Sequence, residues 1–197
     1  MNKLDPNELS DAEKRLIAPC GIYCGACDLF LGNSRNLAKE IYRILNGFNM
    51  ADVGPLAMGI ERDRVVDFLN ILQNWSQGKK CPGCLPRGGI HSCPVRVCTQ
   101  QRGFLTCAEC DRMPCNRLEE EPSPEAAAFL DLVTKRYSNW NIENLERIRE
   151  VGYRRFIDEM QEKVRNGFLT SDVISREMVV SQVMEKRKKK ADEDGKR

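Results

Sequence analysis

The sequence predicts a mainly α-helical protein whose helices flank an irregular cysteine-rich insert. Apolar residues recur every three or four positions on both sides of the insert, as one face of a helix requires. Between Gln77 and Cys115 this period disappears, glycine and proline are dense, and large apolar residues are few. Alternating apolar runs of strand length are absent elsewhere, so at most short strand pairs are expected, within the insert itself.

Before the insert, the pattern predicts helices over residues 10–18, 33–48 and 61–76. The first begins at the capping-box pattern Ser10-x-x-Glu13 and is expected to stop before Pro19, because proline disfavours a helical conformation of the preceding residue. Gly54-Pro55 marks a loop. We interpret the apolar stripes of the second and third helices as core rather than as partner grooves. They comprise Leu37, Ile41, Ile44, Leu45 and Phe48, and Val65, Phe68, Leu69, Leu72 and Trp75.

After the insert, Ser123-Pro124-Glu125 supplies an N-cap, a proline at the first helical position and an acid in the first turn. Helices are predicted from there to about residue 138, over 142–151 and over 153–166, with Gly167 as a C-cap. Thr170-Ser171-Asp172 is expected to cap a last helix carrying Val173, Ile174, Met178 and Val179. The predicted organisation is a cysteine-rich domain over 1–120, a helical segment over 121–185 packed on it, and a disordered charged tail over 186–197.

Ten cysteines lie at short spacings that suit metal binding. Thiolates two to four residues apart can reach one metal ion from a single turn of backbone. The N-terminus has no apolar signal core, so a cytoplasmic location is expected, where thiols stay reduced and act as ligands. The predicted ligands are Cys20, Cys24, Cys27, Cys81, Cys84, Cys93, Cys98, Cys107, Cys110 and Cys115, with His91, the only histidine, as an eleventh candidate.

Eleven candidate ligands allow several arrangements. Two closed sites with four ligands each would use eight candidates and leave three unused. Three sites with four, four and three ligands would use all eleven, and Cys20, Cys24 and Cys27 would then form an open three-ligand site. Cys81-x2-Cys84 and Cys107-x2-Cys110 resemble the halves of a zinc ribbon. Alternatively, Cys81, Cys84, Cys93 and Cys98 close one site, and Cys107, Cys110 and Cys115 join a cysteine of the first motif, which then clasps the insert. The expected function is metal binding, with structural zinc, about two ions per chain, as the cofactor. The alternative is a redox or sensor protein that holds a [4Fe-4S] cluster.

Other classes of function are disfavoured. No apolar run approaches the ~20 residues that span a bilayer. The segment from Lys79 to Arg117 contains seven basic and two acidic residues. The negative charge of metal-bound thiolates would offset this excess of positive charge, so nucleic acid is not an expected partner. The sequence is compatible with a protein partner but identifies none. An enzyme is not favoured, because phosphate-binding loops and carboxylate pairs are absent. The strand–helix alternation of radical S-adenosylmethionine enzymes is missing as well, although Cys20-x3-Cys24-x2-Cys27 matches their spacing.

The order of the cysteine groups resembles one prokaryotic family. The matching groups are Pro19-Cys20-Gly21-Ile22-Tyr23-Cys24-Gly25-Ala26-Cys27, Cys81-Pro82-Gly83-Cys84, Cys93-Pro94-Val95-Arg96-Val97-Cys98, Cys107-Ala108-Glu109-Cys110 and Met113-Pro114-Cys115. The sequence is similar to the uncharacterised family catalogued as domain of unknown function 3795 over about residues 18–120. The resemblance implies metal binding by nine of the cysteines and a family position for Arg96. This sequence differs from the family pattern near Cys93, because Ile90 and His91 occupy the positions where relatives have a further cysteine.

Overall fold

The structure is a computed structural model that describes residues 4–86, 88–90, 92–113, 115 and 124–177. These residues are mainly helical, which confirms the predicted class, and their only β-type pairing is an isolated antiparallel bridge between Ile17 and Tyr23. The α-helices are α1 Asp11–Lys14, α2 Asp28–Leu31, α3 Asn33–Gly47, α4 Met50–Met58, α5 Arg62–Gln77, α6 Pro94–Gln101, α7 Pro124–Arg136, α8 Trp140–Val151 and α9 Tyr153–Arg165. Short 3-10 turns cover Pro6–Glu8, Cys24–Ala26, Cys107–Glu109 and Thr170–Val173.

The N-terminal helix begins as predicted and ends earlier. Ser10 is its N-cap, and the Glu13 carboxylate completes the capping box by accepting a hydrogen bond from the Ser10 amide at 2.8 Å. The helix stops after Lys14 because the chain then folds back on itself: the Ala18 amide donates to the Ile22 carbonyl at 2.8 Å. This tight turn carries Pro19, Cys20 and Gly21.

The loop predicted at Gly54-Pro55 was wrong. Gly54 and Pro55 lie inside α4 rather than in a loop. A methyl added at Gly54 would lie 3.4 Å from Val65 Cγ2, so close packing of α4 on α5 holds this segment helical despite its proline. Thr170–Val173 forms a 3-10 turn, and the chain is helical again at Arg176 and Glu177. Met178, Val179 and the predicted tail lie outside the described residues, so the last helix stays a prediction.

The cysteine-rich insert is not irregular throughout. Helix α6 lies within it, and Pro94 occupies a first-turn position directly after the N-cap Cys93. Proline is favoured there because its missing N–H would have no helical partner. The helix buries Val95, Arg96 and Thr99, although it is only eight residues long. A buried polar face gives no apolar period, which is why the sequence pattern missed it.

By internal contacts the chain divides into two compact units. Unit 1 comprises the described residues of Met1–Cys27 and Pro82–Arg197, and unit 2 is Asp28–Cys81. The two ends of unit 2 meet, because the Cys81 amide donates to the Leu29 carbonyl at 3.2 Å. Closely spaced ends are typical of a domain inserted in a host chain. The domain boundary predicted near residue 120 falls among residues that the structure does not describe, and it stays a prediction.

Unit 1 has a well-buried core built mainly by its C-terminal helices. Tyr23 packs edge-on against Phe156, with ring centroids 6.0 Å apart, and so ties the first cysteine motif to α9. The largest fully buried side chains of this core are Ile17, Tyr23, Val95, Leu145, Ile148, Tyr153, Phe156, Ile157 and Met160. The first cysteine motif is therefore anchored by residues more than a hundred positions away.

Unit 2 is a hairpin of α3 and α5 with α4 packed beside it. Ala38, Leu69 and Leu72 are buried. The interpretation of both apolar stripes as core is wrong for most of their members, which are exposed: Leu37, Ile41, Ile44, Phe48, Phe68 and Trp75. Two helices alone can bury only the line along which they touch. Within the described residues, no helix is both long enough and apolar enough to cross a membrane.

Replacing Gly21 with alanine should destabilise unit 1 by about 3 kcal/mol or more, because Gly21 has a φ of +93° and an added Cβ would lie 2.1 Å from the Asn141 carbonyl oxygen. Denaturant unfolding followed by Trp140 fluorescence in a Trp75→Phe background measures this, since these are the two tryptophans of the chain. Gly103→Ala is the control. Its φ is +70° but an added methyl meets no atom within 4 Å, so we expect a loss of about 1 kcal/mol. Equal losses would contradict the steric explanation.

Candidate metal centre

The first cysteine motif is held through its backbone by helix α8. Asn141 Nδ2 donates to the Cys20 carbonyl at 3.2 Å, and Asn144 Nδ2 donates to the Gly21 carbonyl at 2.9 Å. Both asparagines are buried. The Cys24 amide donates to the Leu16 carbonyl at 2.7 Å. These bonds satisfy backbone groups that a tight turn leaves unpaired and hold Cys20 and Cys24 in the interior.

The second motif, around Cys84, is held by one arginine of helix α6. Arg96 is only 3% exposed, and its guanidinium donates to the carbonyls of Cys84 at 2.8 Å, Gly88 at 3.0 Å and Ile90 at 2.9 Å. A rigid, always charged fork of donors suits three converging carbonyls. The position that resembled a family arginine therefore shapes the loop between Cys84 and Cys93.

The third motif, Cys107-x2-Cys110, is held in the same way from helix α8. Arg149 donates to the carbonyls of Ala108 at 2.9 Å and Met113 at 3.3 Å, and also to that of Cys110. The Cys107 amide donates to the Pro19 carbonyl at 2.8 Å. This last bond joins the third motif directly to the turn that carries the first.

A polar network from helix α9 supports the entry to this third motif. Glu109 Oε1 accepts hydrogen bonds from the Leu105 amide at 2.6 Å and from the Tyr153 hydroxyl at 2.6 Å. The Thr106 hydroxyl lies 2.9 Å from that of Tyr153. Burial and the bond to Glu109 raise the pKa of Tyr153 far above its usual range, so it stays a neutral donor.

Four thiols from two of these motifs influence one another. Burial, with a smaller contribution from the negative charges of Cys84 and Cys93, raises the pKa of the Cys20 thiol to about 12. Cys24 and Cys84 share a hydrogen bond that raises the pKa of Cys24 and lowers that of Cys84, and the Arg96 charge also favours the Cys84 thiolate. Cys20, Cys24, Cys84 and Cys93, which we call the first thiol group, therefore lie near one another in unit 1.

A second thiol group comprises Cys98, Cys107, Cys110 and Cys115. Burial raises the pKa of Cys107 well above its usual range, with contributions from Cys20 and from the three other members of the group. Burial, Cys110 and Cys98 raise the pKa of Cys115. Arg102 Nη1 donates to Cys110 Sγ at 3.5 Å. Because Cys107 also responds to Cys20, the two groups are neighbours.

The remaining predicted ligands are Cys27, Cys81 and His91. Cys27 is the last residue of the first segment of unit 1 and lies near enough to Tyr137 to contribute to raising its pKa, behind burial as the main cause. Cys81 ends unit 2. All ten cysteines are free thiols, and His91 lies outside the described residues.

Over the described ranges, no group of three or more histidine, cysteine, aspartate or glutamate side chains is placed to hold a metal ion.

A cavity of about 530 Å³ opens beside the first thiol group. Cys20, Cys84 and Cys93 line one side, while Phe129, Leu132 and Val133 of α7 form an apolar wall. Arg136 and Tyr137 also line the cavity. The cavity gives three thiols of the first group access to small molecules or ions.

Sequence reasoning missed the residues that hold the cysteine loops: Asn141, Asn144, Arg149 and Tyr153. A signal was present for two of them. Asn141 and Asn144 share a helical face with Leu145 and Ile148, so two polar residues stand where the period calls for apolar ones. A polar side chain on a buried face has to find hydrogen-bond partners, and here the partners are cysteine-loop carbonyls.

Comparison with known proteins gives one family. A family model described as "Protein of unknown function (DUF3795)" matches residues 16–120, which are 105 of the 197 residues. This confirms the resemblance seen in the order of the cysteine groups. No curated protein matches the chain. No solved structure matches it either. Asn141, Asn144, Arg149 and Tyr153 lie beyond the matched segment.

Replacing Arg149 with methionine should destabilise unit 1 by about 2–4 kcal/mol, because three loop carbonyls lose a charged donor. Backbone amides of residues 105–113 should exchange with deuterium faster. The matched control is Arg155→Met on the next helix. Among the described residues, Arg155 pairs with Glu159 at the surface, so its loss should change the unfolding free energy by no more than about 0.5 kcal/mol. Unchanged exchange in Arg149→Met would show that the loop does not depend on this clamp.

Proposed function

Since the chain belongs to the DUF3795 family, whose function is unknown, we propose that it is a metal-binding protein with two structural zinc sites made of cysteine thiolates. The observation that carries the proposal is the grouping of the thiols. Eight of the ten cysteines fall into two groups of four, and each group draws on separate segments of the chain. Four thiolates make up the ligand set of a closed structural zinc site.

The chemistry of the buried thiols supports a cation. Cys20 and Cys107 are buried, and burial raises the pKa of both thiols. A buried thiol without a cation stays protonated, since burial penalises the charged form, and four neutral thiols side by side gain little from one another. A divalent ion displaces the protons and neutralises the thiolates, and its binding free energy then contributes to folding. Arg96 and Arg102 would offset the residual negative charge of the two groups.

We assign Cys20, Cys24, Cys84 and Cys93 to one site and Cys98, Cys107, Cys110 and Cys115 to the other. This grouping differs from the arrangements drawn from spacing alone. The zinc-ribbon pairing leaves the first motif out, and the clasp takes one ligand from it, whereas here that motif contributes both Cys20 and Cys24. The thiol side chains have to turn toward a common ion, while Arg96, Arg149 and the α8 asparagines hold their backbones. Zinc bound in this way would clasp the N-terminal turn to the insert.

Metal analysis of the protein purified without oxygen tests the proposal. We expect about two zinc ions per chain, no acid-labile sulfide and no visible absorption. Stoichiometric iron and sulfide with a band near ~400 nm would replace zinc by an iron–sulfur cluster. A folded protein that takes up neither metal would overturn the proposal.

Single substitutions test the ligand assignment. Cys84→Ser or Cys93→Ser should leave about one zinc per chain, and so should Cys98→Ser or Cys110→Ser, because each removes one of four thiolates from a closed site. Cys27→Ser is the matched control and should retain both ions. Loss of zinc from the control, with retention in Cys93→Ser, would show that the first motif acts as a unit and that the assignment is wrong.

Removing zinc with a strong chelator should loosen the cysteine loops selectively. Amides of residues 82–113 are expected to exchange faster, because metal binding there supplies folding free energy. Helices α8 and α9 should stay partly protected, since Leu145, Ile148, Phe156 and Met160 form their own apolar core. Helix α3 of unit 2 provides an internal control that should not change. Identical exchange of the loops after confirmed metal loss would contradict a structural role.

A further inference from the structure

The α3–α5 hairpin of unit 2 has one polar and one apolar face. Its helices are antiparallel, as the bond between Cys81 and Leu29 at their outer ends requires. One face is an open groove lined by polar side chains, among them Arg35, Lys39, Gln73 and Gln77. The helices touch along Ala38, Leu69 and Leu72, which are buried.

Each helix also carries a second, exposed apolar line. On α3 and its C-cap the line is Leu37, Ile41, Ile44 and Phe48, at spacings of four, three and four. On α5 it is Phe68, Ile71 and Trp75, at spacings of three and four. Leu37 is 62% exposed, Phe48 71% and Trp75 53%. Alternating spacings of three and four form a coiled-coil seam, the pattern by which a helix packs against another helix.

Both exposed lines lie on the same side of the hairpin. Each is displaced by one residue toward the N-terminus from the line along which the helices touch, as Leu37 is from Ala38 and Phe68 from Leu69. One residue is a rotation of about 100°. Because the helices run in opposite directions, equal rotations turn both lines to the same face. The polar groove, whose Lys39 and Gln73 are displaced one residue the other way, lies opposite.

The apolar face is large enough for a stable interface. Seven large side chains, each roughly half exposed, present on the order of 700 Å² of surface, which exceeds the usual patch on a monomer and approaches the ~800 Å² that each partner buries in a standard complex. The charged residues of α5 are two acidic ones, Asp63 and Asp67, and two basic ones, Arg62 and Arg64, all exposed. The helix therefore offers no net positive charge to an anionic lipid surface, which favours a protein partner.

The two lines complement each other level by level. The hairpin register sets residues whose numbers add to about 112 at the same height, as the approach of the Lys80 side chain to Gly32 and the bond between Cys81 and Leu29 indicate. Leu37 is then level with Trp75, Ile41 with Ile71, and Ile44 with Phe68. A twofold axis parallel to the helices would lay the α3 line of one copy on the α5 line of another, with aliphatic against aromatic or aliphatic at each level. Phe48 would meet Arg64, which suits a cation–π contact.

We propose that unit 2 pairs with unit 2 of a second copy of this chain, apolar face to apolar face, as an antiparallel four-helix bundle. A two-helix hairpin cannot bury both of its apolar lines, and a twofold partner with the same surface buries all of them at once. The inference concerns unit 2 alone and does not depend on metal binding by unit 1.

Sedimentation equilibrium of the full chain tests the proposal, with the mass of two chains expected at micromolar concentration. Ile41→Glu and Ile71→Lys should each weaken the dimer at least ~100-fold, because each buries two unpaired charges at the twofold interface. The matched control is Lys39→Glu, which changes the charge of the opposite face of α3 and should shift the dimer dissociation constant less than ~3-fold. Circular dichroism should show equal helix content in all variants, since every substituted residue is exposed.

Mixing the two variants tests the register and the identity of the partner. Equimolar Ile41→Glu and Ile71→Lys chains should form a one-to-one heterodimer at least ~10-fold tighter than either homodimer, because one interface position then holds a Glu–Lys pair and its twin holds Ile41 against Ile71. A monomeric wild-type chain would overturn the proposal and leave the face to another protein or to lipid. A wild-type dimer that withstands Ile41→Glu, or variants that fail to pair, would also overturn it.

Discussion

The cysteine loops of unit 1 depend on side chains that donate to backbone carbonyls. Tight turns cannot pair their own polar groups, and a buried carbonyl without a donor costs free energy. Arg96 donates hydrogen bonds to three carbonyls in the segment from Cys84 to Ile90, and Arg149 donates to three carbonyls around Cys107 and Cys110. Asn141 and Asn144 serve the turn at Cys20 and Gly21. Removing these donors would leave the three motifs with little to define their positions.

This dependence explains why the helices beyond the family match belong to the same compact unit. Helix α8 supplies both asparagines and Arg149, and α9 supplies Tyr153 and the apolar partner of Tyr23. The cysteine motifs are too poor in apolar residues to form a core. They borrow the core of the C-terminal helices and, under our proposal, add the binding free energy of metal. A single rigid framework thereby brings thiols from distant segments into two groups.

Unit 2 has the opposite character. Few of its residues are buried, and most of its large apolar side chains are exposed. Its two ends meet at Leu29 and Cys81, so it can be inserted without disturbing its host. An inserted hairpin with a polar and an apolar face is suited to assembly, and a self-complementary face favours a twofold partner.

The sequence alone determined the helical class, the capping box at Ser10, helices α3, α5, α8 and α9 to within a few residues, and membership of the family. These features depend on local period, caps and motif order, which are properties of neighbouring residues. Only the tertiary structure decided that Pro55 lies in a helix, that a helix forms at Pro94, and that Leu37, Ile41 and Phe48 face outward. An apolar stripe indicates that one face of a helix is buried, but it does not indicate whether the same chain or a partner buries it. The grouping of Cys20 and Cys24 with Cys84 and Cys93 was likewise beyond the spacing, because proximity across sixty residues is set by distant helices whose buried polar side chains hold the loops.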